Sequence, residues 1–125
     1  MRDGKHVVLC IDDEAAILDS LRCIIEAGGY VFEGASTAEE TLGAFERHRP
    51  DIVLLDLMME KEDTGLSLVS ALHAKDGAVP IYLLSSAGNA LCLNADSTEL
   101  GFSGVLQKPV EPEELLGILR ARLRS

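Results

Sequence analysis

The chain has 125 residues, the size of one domain, and 47% of them are apolar, which is enough to build one hydrophobic core. Acidic residues outnumber basic ones 21 to 11, giving a formal net charge of −10. A protein with this charge has no general attraction to phosphate backbones, so we expect no direct nucleic acid binding by this chain.

The cysteine pattern favours a reducing compartment. Cys10, Cys23 and Cys92 stand among apolar neighbours, outside C-x-x-C or Cys/His spacing, and we expect them to be small core residues. The apolar run before Asp12 is too short for a secretion signal or a membrane span. We therefore expect a cytoplasmic protein without membrane contact, folded as a single domain over residues 1–125.

Strand and helix patterns alternate through the first half of the chain. The continuous apolar run His6–Ile11 predicts a strand buried on both faces. Helical spacing before Gly28 predicts an amphipathic helix with the apolar residues Ile17, Leu21, Ile24 and Ile25. A short strand at 30–35 follows, and then a helix opened by the capping box Ser36–Glu39 and ended by Pro50.

The alternation continues in the second half. Apolar runs at Ile52–Leu55, Ile81–Leu84 and Gly104–Leu106 predict three more strands. The helix between the first two has the apolar stripe Leu66, Val69 and Leu72. Residues 87–100 predict a loop and a weak helix, and the last helix starts near Pro112. We expect that helix to bury Leu115, Leu116, Leu119 and Leu123.

Five strands alternating with five helices predict an α/β fold, an open parallel sheet covered by helices on both faces. In such sheets ligands bind at the carboxyl ends of the strands, where the strand order reverses. The polar residues of this chain stand at those ends, namely Asp12 and Asp13 after the first strand, Asp56 after the third, Ser85 after the fourth and Lys108 after the fifth.

These residues together have the chemistry of a phosphoryl site. If the first and third strands are neighbours, three carboxylates converge and need a proton or a cation between them. Ligands that are all oxygen favour Mg²⁺. The cation, the Lys108 ammonium and the Ser85 hydroxyl could each contact an oxygen of a phosphoryl group. The central carboxylate could then act as the nucleophile. Any one such acidic residue alone is more often a solvated turn or a helix cap.

Four segments resemble the receiver domain of bacterial two-component response regulators, and the resemblance runs from about His6 to Leu123. The matching segments are Val7–Glu14, Asp51–Met59, Pro80–Ser85 and Gly101–Pro109. The resemblance implies a flavodoxin-like sheet with strand order 2-1-3-4-5. It also implies one receiver domain that signals in the cytoplasm.

The resemblance implies a role for each site residue. Asp56 would accept a phosphoryl group from a sensor histidine kinase or a histidine phosphotransfer protein. Asp13 and Asp56 would bind Mg²⁺ directly with the backbone carbonyl of Met58, while Asp12 would assist through water. Phosphorylation would change the affinity for a downstream protein target or output domain, and a phosphorylation-dependent dimer is one form this change could take.

Ser85 and Lys108 would each contact one phosphoryl oxygen. Water would attack the aspartyl phosphate at the same site, so the domain would catalyse its own phosphorylation and dephosphorylation without being a metabolic enzyme. The chain departs from the family at Val105, where an aromatic residue is usual, and this puts the usual side-chain readout in doubt. The loop after Asp56 is one residue longer than the commonest form and carries Glu60 where proline is frequent.

Two other functions remain as alternatives. A receiver-like interaction module could signal by binding alone, although such a module has no need of the complete polar set. A phosphohydrolase with an aspartyl phosphate intermediate would need a D-x-D pair after its first strand, and Asp12-Asp13 lacks that spacing. The histidines His6, His48 and His73 share no metal-binding spacing, so we expect them to be structural or exposed.

Overall fold

The computed structural model describes residues 4–56, 71–75, 79–85, 104–107 and 110–123. Its strands are β1 (Val7–Ile11), β2 (Val31–Ala35), β3 (Ile52–Asp56), β4 (Ile81–Ser85) and β5 (Gly104–Gln107). Its helices are α1 (Ala15–Ala27), α2 (Ala38–His48), a helical segment at 71–75, called α3 below, and α4 (Pro112–Arg122).

The five strands form one parallel sheet in the order β2-β1-β3-β4-β5. The chain runs outward from β1 to β2 and then returns past β1 to β3, so the strand order reverses between β1 and β3. The predicted fold class and strand order are therefore confirmed. The helix predicted within residues 87–100 lies outside the described residues.

Helices cover both faces of the sheet. Successive side chains of a strand point to opposite faces, so each face carries its own apolar cluster that a layer of helices buries. On one face the strands pack against α2 and α3, and the buried residues include Leu9, Leu55, Leu83, Phe45 and Leu72. On the other face they pack against α1 and α4, and the buried residues include Val8, Leu54, Leu84, Leu21 and Leu119. All five residues of β1 and of β3 are buried, as expected for central parallel strands.

Helix α2 begins one residue later than the sequence predicts. The N-cap is Thr37, whose Oγ1 accepts a hydrogen bond from Glu40 N at 3.1 Å. The Glu40 carboxylate accepts from Ser36 N at 2.9 Å and from Ser36 Oγ at 3.0 Å. The predicted box at Ser36–Glu39 is thus wrong by one residue. The physical reason is that the cap at Thr37 turns Thr41 and Phe45 inward onto the sheet, where both are buried.

Two predictions about burial are wrong in part. Cys10 is buried in β1, and this burial raises the pKa of its thiol, to which the Asp12 charge adds. Cys23, by contrast, is exposed, because it lies off the α1 stripe that buries Leu21 and Ile25. Leu116 in α4 is only half-buried. Cys92 lies outside the described residues.

The end of α4 is anchored to the centre of the sheet. The Nε of Arg122 donates a hydrogen bond of 2.8 Å to the hydroxyl of Tyr82 on β4. The guanidinium carbon also lies 5.7 Å from the centroid of the Tyr82 ring, within the range of a cation–π contact. This arginine therefore does more than balance the helix dipole, which is the role that its place in the last turn predicts.

No helix in the described part of the chain is both long enough and apolar enough to cross a membrane.

Replacing Glu40 by glutamine should lower stability at neutral pH but not in acid. The hydrogen bonds from the Ser36 backbone and side chain lower the pKa of Glu40 below its ordinary value. The ionised carboxylate therefore stabilises the fold above the unfolded-state pKa, and this contribution is lost as the pH falls through the folded-state pKa. Melting temperatures of wild type and Glu40→Gln should differ at pH 7 and converge in acid, once the pH has fallen below the folded-state pKa of Glu40. The exposed Glu39 provides the control Glu39→Gln, and an equal loss in that variant would contradict the cap assignment.

Tyr82→Phe should destabilise the protein by about 0.5 to 1.5 kcal/mol, the usual net value of one lost hydrogen bond. The ring stays in the core, where Tyr82 is 8% exposed, so only the bond to Arg122 is removed. Urea unfolding measures this difference. Tyr30→Phe, at a half-buried tyrosine, is the matched control and should change stability by less than about 0.5 kcal/mol. Equal losses of stability in the two variants would contradict a stabilising role for the hydrogen bond between Arg122 and Tyr82.

Candidate functional site

The pairing of β1 with β3 brings two acidic residues to the same level of the sheet. Ile11 is aligned with Leu55, so the next residue along β1, Asp12, stands level with Asp56 at the end of β3. Neighbouring strands lie about 4.8 Å apart, which brings these two carboxyl groups into close reach. Asp13 follows immediately as the chain leaves the sheet.

Three carboxylates meet at this edge. One oxygen from each of Asp12, Asp13 and Asp56 lies within 4.8 Å of the others. Asp12 is 0% exposed and Asp56 is 3% exposed, whereas Asp13 is exposed to solvent. The site therefore has a buried floor of two carboxylates and a third carboxylate at its rim.

Backbone contacts hold Asp12 in a fixed position. Its N–H donates to Ala35 O at 3.1 Å, which extends the pairing of β1 with β2 by one residue. Its Oδ1 accepts a hydrogen bond of 2.9 Å from Glu14 N, in the turn that leads into α1. The sequence pattern did not predict this second contact, although an aspartate two residues before a free helix N-terminus is a typical signal for it.

The other predicted site residues are described only in part. The backbone of Ser85 ends β4, one residue beyond the pairing of Asp56 with Leu84, so it lies at the same edge as the carboxylates. Ser85 is itself aligned with Gln107, the residue that precedes Lys108. The Ser85 side chain, Lys108 and Met58 lie outside the described part, and their roles stay predictions.

The donor set at this edge suits a hard cation. Its ligand atoms are all carboxylate oxygens, which favour Mg²⁺ or Ca²⁺ over the metals that histidine and cysteine bind. Three negative charges this close repel one another, and two of them are withdrawn from water. A cation in this group would remove that repulsion. Among the described residues, this is the one group of three metal-ligating side chains so close together.

A fourth acidic residue, Asp51, has a structural role at the opposite edge of the sheet. Its Oδ2 accepts a hydrogen bond of 2.8 Å from Val7 N, and its own N–H donates to Val7 O at 2.8 Å. His6 Nδ1 lies 3.5 Å from the same carboxylate oxygen. The distinguishing signal in the sequence is position, because Asp51 precedes its strand whereas Asp12 and Asp56 stand at strand carboxyl ends.

His48 also contacts a carboxylate, since its Nε2 lies 3.5 Å from Oε1 of Glu33 on β2. Both contacts hold pieces of the fold together, His6 at the start of β1 and His48 at the end of α2. The prediction that the histidines are structural or exposed agrees with these positions and stays a prediction.

Comparison with known proteins gives a consistent family. Residues 8–120 match the response regulator receiver domain. The chain is 38% identical over 122 residues to the "Probable transcriptional regulator ycf27" of Guillardia theta, covering 98% of this chain and 47% of that protein. It is 35% identical over 117 residues to the response regulator MprA of Mycobacterium leprae, covering 94% of this chain and 50% of that protein. The chain thus spans about half the length of these curated relatives.

Solved structures agree with this comparison. The chemotaxis protein CheY4 of Vibrio cholerae superposes with a TM-score of 0.85 at 26% identity, covering 96% of this chain and 100% of that chain. A CheY-like response regulator receiver domain protein from Methanospirillum hungatei superposes with a TM-score of 0.81 at 28% identity, covering 96% of this chain and 94% of that chain. The strand order, the three carboxylates at the sheet edge and these likenesses agree, and the chain belongs to the response regulator receiver domain family.

Proposed function

We propose that this domain accepts a phosphoryl group on Asp56 and thereby changes its affinity for a partner. The observation that carries the proposal is the placement of Asp56, 3% exposed at the end of β3, within 4.8 Å of the carboxylates of Asp12 and Asp13. The donor would be the phosphohistidine of a sensor kinase or of a phosphotransfer protein. The responding partner would be a protein target or an output domain, and this signalling would take place in the cytoplasm.

The transfer itself requires little covalent chemistry from the protein. A carboxylate oxygen of Asp56 forms a bond to phosphorus as the bond from phosphorus to the donor imidazole nitrogen breaks. The bond electrons stay on that nitrogen, which takes a proton, so a neutral histidine leaves. Most of the catalysis is then positioning and charge neutralisation. The rigid central strand β3 supplies the positioning for Asp56.

Asp13, Asp56 and the backbone carbonyl of Met58 are the proposed ligands of Mg²⁺, with Asp12 acting through a bound water. The ion would offset the negative charge of the carboxylates and of the incoming phosphoryl oxygens. The hydrogen bond from Glu14 N to Asp12 Oδ1 supports the indirect role of Asp12, because this oxygen already has a backbone donor. Asp13 is exposed at the rim and can turn toward an entering ion.

Ser85 and Lys108 complete the proposed site. The β4 backbone places Ser85 beside the end of β3, and Lys108 directly follows β5. Their hydroxyl and ammonium groups would each bind one phosphoryl oxygen. Val105 stands in β5 where the family usually has an aromatic residue, so any change of binding surface must use another side chain.

The same arrangement would let a water molecule attack the aspartyl phosphate, so we propose a signal that ends by itself. The turnover would reset a switch and produce no metabolite. The competing function is an interaction module that never carries phosphate, and the first experiment below separates the two.

Asp56→Asn should abolish phosphorylation and leave the fold intact, since the amide keeps the shape of the carboxylate but is a much weaker nucleophile. Intact-protein mass spectrometry after incubation with acetyl phosphate should show a Mg²⁺-dependent gain of one phosphoryl group in wild type and none in the variant. Asp19→Asn, at an exposed aspartate in α1, is the matched control and should label normally.

Normal labelling of Asp56→Asn would reject the acceptor assignment. If wild type gains no phosphoryl group, binding of beryllofluoride, which imitates the phosphoryl group, becomes the deciding measurement. Absence of that binding as well would favour the interaction module.

Mg²⁺ should raise the melting temperature near pH 7, because it binds the folded carboxylate cluster and removes repulsion there. At a concentration ten times its dissociation constant, the gain is about 1.4 kcal/mol, which corresponds to several degrees for a domain of this size. Differential scanning calorimetry with and without the ion measures it. Asp13→Asn should lose most of the gain, and the same substitution at Asp19 should not. An unchanged wild-type melting temperature at millimolar Mg²⁺ would contradict a metal site at this edge.

A further inference from the structure

A second concave site lies at the opposite side of the domain from the carboxylates. It is a cavity of about 510 Å³ between the end of α2 and the helical segment α3, and its described lining residues are Phe45, Glu46, Arg49, Pro50 and Lys75. Pro50 lies two residues before β3, whereas Asp56 ends that strand. Five residues of strand separate the two places by about 16 Å. The cavity is therefore distinct from the proposed phosphoryl site.

The cavity has an apolar floor. Phe45 is 5% exposed and belongs to the core cluster between the sheet and α2, and Pro50 is buried beside it. A volume of this size falls within the range of roughly 300 to 1,000 Å³ that is typical of small-molecule sites, far above the space of one water molecule. An apolar group that enters the cavity would meet the exposed edges of these two residues.

Among the described lining residues, the charged side chains are two cations and one anion. Lys75 Nζ lies 2.5 Å from Glu46 Oε1, and this contact lowers the pKa of Glu46, so the glutamate is ionised and neutralises one cation. Arg49 supplies a second cation, and it is exposed. In a protein with a formal net charge of −10, the described lining of this cavity thus carries one more positive than negative charge.

The backbone at Arg49 is strained. It is the C-cap of α2 and adopts φ 45° and ψ 67°, in the left-handed region. Among the described residues, it is the one residue other than glycine with positive φ. Glycine is favoured at this position of a helix end, and another side chain costs about 1 kcal/mol or more there. Strain of this kind is typical of positions whose side chain has a function.

We propose that this cavity binds a small organic anion whose flat apolar body packs on Phe45 and Pro50 and whose carboxylate pairs with Arg49. Lys75 neutralises the Glu46 carboxylate at the cavity wall, so the bound carboxylate is not repelled there. The strained arginine is then the residue that sets the preference for anions. This binding does not depend on phosphorylation of Asp56.

Amide chemical shifts of the uniformly ¹⁵N-labelled full chain, titrated without Mg²⁺, test the proposal. The probe is 2-naphthoate, and the neutral analogue 2-naphthalenemethanol tests the need for charge. Saturable shifts at residues 45–51 and 71–75 are expected with naphthoate, and binding of the neutral analogue should be at least about tenfold weaker, or about 1.4 kcal/mol. Equal binding of both compounds, or shifts without saturation, would overturn the proposal. Inorganic phosphate binding as tightly as naphthoate would overturn the role of the apolar floor.

Arg49→Gly separates a binding role from a structural one. Glycine relieves the left-handed strain, so the melting temperature should rise while naphthoate affinity falls about tenfold or more. Arg47→Ala, at an exposed arginine in the same helix turn, is the control and should bind as wild type. Wild-type affinity in Arg49→Gly would overturn the assignment.

Lys75→Gln should also weaken naphthoate binding. An unchanged affinity would contradict the role proposed for Lys75 in this cavity. Asp56→Asn should bind naphthoate normally while failing to accept phosphate. A failure of the cavity proposal is therefore distinguishable from a failure of the proposed phosphoryl transfer.

Discussion

The close approach of Asp12 and Asp56 is the constraint on which the rest of the structure depends. Two buried carboxylates next to each other repel, and withdrawal from water makes this repulsion more costly. They are held together because β1 and β3 are adjacent parallel strands whose residues are all buried. The hydrophobic energy of two covered sheet faces thus maintains an electrostatic arrangement that would not form by itself.

That arrangement suits a switch. Negative charge that is unfavourable in one state becomes favourable once a cation enters, so binding energy is available for a change elsewhere. In this chain Val105 occupies the β5 position where the family usually has an aromatic residue. The hydrogen bond from Arg122 to Tyr82 links the end of α4 to β4. Ser85 lies on that same strand. This hydrogen bond therefore connects the strand that contains Ser85 to the last described helix.

Acidic residues have different surroundings at the two edges of the sheet. At the carboxyl edge, Asp12, Asp13 and Asp56 concentrate negative charge without a neighbouring histidine in the group. At the amino edge, Asp51 accepts a hydrogen bond from Val7 N, and its carboxylate lies 3.5 Å from His6 Nδ1. The cavity near Arg49 adds a cationic region on that side. The proposed phosphoryl site and the structural contacts of Asp51 are therefore separated by the length of the strands.

Sequence patterns alone determined the element order, the parallel α/β class and the acidic residues at the strand ends. Continuous apolar runs such as Val7–Ile11 and stripes such as Leu115 and Leu119 are signals of burial that need no tertiary information. The strand order came from family resemblance, because periodicity does not say which strands are neighbours. The one-residue shift of the α2 cap followed from packing, since local preference ranks serine above threonine as an N-cap and would favour Ser36.

Only the tertiary structure decided which carboxylates are buried, which groups Asp51 contacts and which backbone conformation Arg49 adopts. Asp12 and Asp51 both lie beside apolar strands, and their different roles depend on which edge of the sheet they reach. Cys23 is exposed because its helix face turns away from the sheet, although its neighbours are apolar. The left-handed backbone of Arg49 ends α2, and the cavity beside it lies between α2 and α3, which are far apart along the chain. Local sequence determines which elements form, whereas long-range packing determines which of their side chains meet.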